Sequence, residues 1–151
     1  MVTIRGAAFA SVFLLANASS TPLYGECVIL TADSLKQITS DLIFAGTVAE
    51  KTPGEYGFRV KFEVDCVWKG SVPRRFDIYV SVLRGEMPTF EGFSVGQRHV
   101  VVARKLTDSR ERAGLGLADT DAPVYGPVEC TGFLSPTIER DLGVSKPPSG
   151  H

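Results

Sequence analysis

The chain has only two histidines, three cysteines and one tryptophan, and its formal net charge is −1. Each shortage removes a class of function. His151 is the last residue, and His99 has no cysteine or second histidine at ligand spacing, so there is no zinc-site pattern. Near-neutral charge gives none of the general attraction on which nucleic-acid or anionic-membrane binding draws. The sequence lacks a Gly-x-Ser-x-Gly elbow and a phosphate-binding glycine loop. Gly114-Leu115-Gly116 comes after a charged segment rather than a strand, which does not suit a dinucleotide turn. Asp119 and Asp121 read as solvated loop acids, not as a catalytic pair. No nucleophile–base or metal constellation remains, so the sequence predicts no enzyme and no cofactor.

Long apolar runs are missing too. The longest, Gly6 to Ala16, falls well short of the ~20 residues of a membrane span. Its setting is that of a secretory signal: Arg5 precedes it, and Ala16-Asn17-Ala18 closes it with the small-x-small pattern of a cleavage site. Residues 1–18 are therefore read as a signal peptide and the product as secreted or periplasmic, with no membrane span. Residues 19–143 have the length of one domain, and residues 144–151 read as a disordered tail.

Strand pattern, by contrast, is plentiful. Phe58, Val60, Phe62, Val64, Cys66 and Trp68 alternate with Arg59, Lys61, Glu63 and Asp65, giving one apolar and one charged face. Phe76, Ile78, Val80 and Val82 repeat the pattern, and the turn-rich Lys69 to Pro73 joins the two as a hairpin. Asp41 to Glu50 and Arg98 to Leu106 are apolar, β-branched runs of strand length, buried on more of their surface. Gly46 marks a bulge or sharp coil, and Pro53-Gly54 a turn. One short helix starts at Thr31 or Asp33 and runs to about Thr39; a second begins after Ser135-Pro136 and stops at Gly143. Thr107 to Val128 reads as a long loop or loose hairpin.

Three cysteines cannot all pair within one exported chain. Unbroken alternation puts Cys66 on the core face as a buried free thiol. Cys27 and Cys130, outside the strands, are then the natural disulfide, closing a loop worth at most about 4.7 kcal/mol. The alternative is a fully reduced chain.

Four segments in order resemble the bacterial netrin-like domains related to tissue inhibitors of metalloproteinases. They are Asp41 to Val48, Val64 to Gly70 with its Trp-Lys-Gly ending, Phe93 to Ala103, and Cys130-Thr131-Gly132 ahead of the last helix. His99 stands where that family usually has an aromatic. The resemblance implies a mostly β fold, a five-stranded OB-like barrel with two short flanking helices. The family's inhibitors chelate a protease zinc through the first residue of a mature N-terminal Cys-x-Cys. Here Cys27-Val28-Ile29 has isoleucine in place of the second cysteine, and Ser19 to Glu26 precede Cys27. A Cys-Gly common near the family's middle strand is also missing.

These readings converge on an exported, non-enzymatic binding or structural module. Its partner would be a protein of the cell envelope or extracellular space, and nucleic acid is not expected. The alternative is a protease inhibitor acting through the N-terminal edge of the barrel.

Overall fold

Strand-length apolar runs and alternating runs become strands, and short capped segments become helices. The computed structural model describes residues 29–54, 57–81, 93–117, 122–128 and 134–150. The elements run in the order α1 (Ala32–Gln37), β1 (Leu42–Gly54), β2 (Gly57–Lys69), β3 (Arg75–Ser81), β4 (Arg98–Lys105), α2 (Ser109–Gly114), β5 (Tyr125–Pro127) and α3 (Ile138–Leu142). The strands form one antiparallel sheet in the order β3-β2-β1-β4-β5.

The sheet has a core on each side. Phe44, Val48, Val60, Phe62, Val67, Ile78, Val80 and Val101 fill the inner side of the curl. Across the sheet, Ile43 and Val102 pack against Leu30 and Leu35 at α1 and Ile138 of α3. The apolar first half of β1 is thus covered on both faces, as its unbroken hydrophobic run requires. Through the inner core runs an edge-to-face series of rings, with centroid distances of 5.7 Å for Phe76–Phe44, 5.6 Å for Phe44–Phe62 and 5.4 Å for Phe62–Phe93. The series ends on His99, 5.1 Å from Phe93, so this histidine packs as an aromatic ring.

No ladder joins β3 to β5, so the hydrogen-bonded sheet is open. The two edges nonetheless meet. The rings of Phe76 and Tyr125 lie 5.4 Å apart, and a Cβ on Gly126 would stand 3.2 Å from the Tyr79 carbonyl oxygen and 2.9 Å from Leu106 Cδ2. Glycine at 126 leaves room for that approach.

Four details differ from the sequence reading. The alternation of β2 breaks after Val64: Gly46 pairs with Val64 but Ala45 pairs with Cys66, so Asp65 is an extra residue. Beyond it, Val67 is buried, while Cys66 is only half-buried and Trp68 packs with the helix-side core. Cys66 is therefore not the enclosed core thiol that unbroken parity predicts. Second, the described residues form three short helices, because Thr107 to Val128 contains α2, capped by Asp108, as well as β5. Third, α3 begins at Ile138 with Thr137 as its cap residue, later than Ser135-Pro136 suggests. Fourth, the segment 144–150 is fastened at Lys146 and Ser149 rather than forming a loose tail. Lys146 and Val67 exchange backbone hydrogen bonds of 2.8 and 2.9 Å, and Ser149 donates to the Val72 carbonyl at 2.8 Å. The ladder with β3 ends at Glu63, which leaves the edge groups of Val67 open, and the tail satisfies them.

Candidate binding site

The pleat of β3 sends Ile78 and Val80 into the core, so Asp77 and Tyr79 lie on its other face. The register places Lys61 opposite Asp77 and Arg59 opposite Tyr79. A lysine directly opposite an aspartate would ordinarily neutralise it. Here both basic side chains lean the other way, towards Glu50 on β1. Lys61 Nζ is 2.8 Å from Glu50 Oε2, Arg59 Nη2 is 3.8 Å from Oε1, and the Thr52 hydroxyl donates to Oε1 at 2.8 Å. The Lys61 and Thr52 hydrogen bonds hold the Glu50 carboxyl below its ordinary range. Among the described residues, Asp77 makes no ion pair or side-chain hydrogen bond, and the Tyr79 hydroxyl has no partner.

Both residues line a cleft of about 340 Å³ shared with Phe76, Leu117, Ala122, Pro123 and Val124. Its second wall is fixed by backbone bonds. The Leu106 amide donates to the Val124 carbonyl at 2.8 Å, and the Leu117 amide closes the end of α2 on Arg112 O at 3.1 Å. Among its described lining residues the cleft thus combines aliphatic and aromatic walls with one uncompensated carboxylate and one free phenol. Its size is at the low end of small-ligand pockets, which run from about 300 to 1,000 Å³.

A second polar cluster sits where β2, β4 and α3 meet. Arg98 forks onto Asp65, with Nε 2.8 Å from Oδ2 and Nη2 3.0 Å from Oδ1, and its Nη1 donates to Glu139. Arg98 holds the Asp65 carboxyl below its usual range, and the carboxylates in turn raise the guanidinium. Cys66 Sγ lies 3.9 Å from Arg98 Nη2. This cluster pins the β2 bulge and α3 to β4. The Cys66 thiol also hydrogen-bonds the Asp65 carboxyl, but that carboxyl is paired with Arg98 and held below its usual range, which makes it a weak base, so the cluster reads as a fastening rather than a reaction centre.

The other residues singled out in the sequence scatter. Cys27, Cys130, Asp119, Asp121 and His151 fall outside the described residues. Gly114-Leu115-Gly116 is the end of α2, with Gly116 at φ 68°. Neither His99 nor any other described residue belongs to a group of three His, Cys, Asp or Glu placed to hold a metal ion. No helix among the described residues is long and apolar enough to cross a membrane. Asp77 escapes a reading of the sequence because alternation marks it only as a wet-face residue, and the partner that Lys61 takes depends on β1. Compared with known proteins, the chain matches no family model, no curated protein and no solved structure.

Proposed function

We propose that the chain is an exported, non-enzymatic module that binds another protein in the cell envelope or extracellular space. The observation that carries this reading is the cleft at β3, a preformed recess with apolar walls and an acid left uncompensated. The order β3-β2-β1-β4-β5, with its edges brought together at Phe76 and Tyr125, supports an OB-like barrel of the netrin-like kind. Such barrels commonly serve as binding scaffolds, although fold alone names no ligand.

A second reading, protease inhibition through the N-terminal edge, is favoured by one feature. Ile29 is 64% exposed at the N-terminal end of the described residues, immediately before Leu30, which is anchored in the core, so an apolar side chain is available for contact at that edge. Purification of the tagged protein from the extracytoplasmic fraction, with N-terminal sequencing and a metalloproteinase panel, separates the two. The binding reading predicts a mature chain starting near Ser19 that is retained with a stoichiometric protein partner and leaves the proteases active. A chain starting at Cys27 that inhibits them tightly would overturn it in favour of the inhibitor.

A further inference from the structure

Resting on that binding reading, we propose that the β3 cleft receives a lysine or arginine side chain of the partner protein, its alkyl stem against Leu117, Pro123 and Val124 and its cationic head against Asp77. Three observations lead to this chemistry. Asp77 lines the cleft, and the cross-strand lysine that would neutralise its carboxylate is committed to Glu50 at 2.8 Å. Among the described lining residues Asp77 is the one acid beside aliphatic walls, an arrangement that selects a ligand with an apolar stem and a positive end, which is the construction of these two side chains. Aromatic residues favour the same charge: Phe76 and Tyr79 border the cleft, and cations are drawn to such rings.

The cleft also excludes other ligands on physical grounds. An anion would be repelled by Asp77, while the cations opposite on β2, Lys61 and Arg59, serve Glu50. A purely apolar side chain would bury the carboxylate without a partner, at a cost its own burial does not offset. Arginine has the further advantage of donating to the carboxylate and the Tyr79 hydroxyl from one planar head.

The test is an amide-resolved NMR titration of the full mature chain with n-butylguanidinium and n-butylamine, against n-butanol and butyrate of the same length. The two cations should shift the resonances of Phe76 to Tyr79, Leu117 and Val124 saturably, with affinity falling as salt rises. Asp77→Asn should weaken that binding roughly five-fold, the scale of one partly exposed charge-assisted contact. Ala122→Trp, which fills the cleft and leaves the carboxylate, should abolish it. Equal shifts with n-butanol, or binding unchanged in Asp77→Asn, would overturn the proposal. Its failure is separable from that of the protein-binding reading. Cation binding that depends on Asp77, in a chain that retains no protein partner, would overturn only the wider reading. A partner retained equally by wild type and Asp77→Asn would overturn only the cleft's chemistry.

Discussion

Lys61 and Asp77 stand directly opposite each other in the β2–β3 ladder, yet the lysine's ammonium lies 2.8 Å from Glu50 on the far side of β2. Glu50 wins because it is already supported by Thr52 and approached by Arg59, so one carboxylate gathers two hydrogen-bond donors and a nearby guanidinium while the other has no donor among the described residues. The charge left on the cleft is therefore set by a residue on a different strand.

That relation predicts an effect at a distance. Glu50→Gln should release Lys61 to swing across to Asp77, and binding of n-butylguanidinium should weaken several-fold. The double variant Glu50→Gln with Lys61→Met should restore it, since no competing ammonium remains. Titrations of the two variants decide this; equal weakening in both would show that Lys61 is not the competitor.

The two faces of β2 should differ sharply in energy. Phe62 is fully buried and meets Phe44 and Phe93 edge-to-face, so Phe62→Ala should cost about 3 to 5 kcal/mol in urea unfolding. Lys61→Ala should stay within about 0.5 kcal/mol, because its ion pair with Glu50 is largely exposed. Losses of similar size from both would mean that the charged face is covered.

Phe62 also shows how far the sequence can be read. Its alternation with Lys61 and Glu63 identifies the strand, its partner in the hairpin and its buried face, because period two is a local signal. Gly46 likewise points to a bulge, and a Cβ there would stand 2.5 Å from the Glu63 carbonyl oxygen. The sequence does not say that the extra residue is Asp65 on the neighbouring strand, a choice made by pairing between strands. Everything past that point changes face, so local alternation puts Cys66 and Trp68 on the wrong side. The tail misleads for a related reason. Its few apolar residues say nothing about the open edge of Val67 that it covers. Asp77 is legible as an acid on the wet face of β3, and only the arrangement of Glu50, Thr52, Arg59 and Lys61 distinguishes it from the others.

His99 should make the fold acid-sensitive in a defined window. Burial pushes its pKa below 6.5, and Nε2 has no hydrogen-bond partner. The unfolded chain then binds more protons than the folded one just below pH 6.5, so stability falls as pH drops from there towards the folded-state pKa. Asp65 acts in a lower window: Arg98 depresses its carboxyl from 3.8, so its contribution is present above that value and lost on further acidification. His99→Phe, which keeps the ring against Phe93, should flatten the Tm between about pH 7 and pH 5 and leave the later acid loss intact. An unchanged slope across that range would contradict the assignment.

The cysteines give a covalent test. Leu30 and Leu134 form a parallel bridge, and the Ser135 amide donates to the Leu30 carbonyl at 2.8 Å. Leu30 and Leu134 are the third and fourth residues after Cys27 and Cys130 respectively, and the proposed pairing is Cys27 with Cys130. A non-reduced peptide map of the exported protein should show that link. Cys66, half-buried beside Arg98, should alkylate slowly in the folded state and quickly after denaturation. A map joining Cys66 to either of the others would refute the pairing.

If the chain holds another protein at the β3 cleft, site-specific photo-cross-linking reads that contact most directly. A photoreactive phenylalanine analogue at position 79, on the cleft, should give one discrete adduct with an extracytoplasmic protein in intact cells. Asp77→Asn in the same chain should reduce that adduct. The analogue at position 36, exposed on α1 and outside the cleft, should give none. Adducts of equal yield from positions 79 and 36, or no adduct from position 79, would contradict the account.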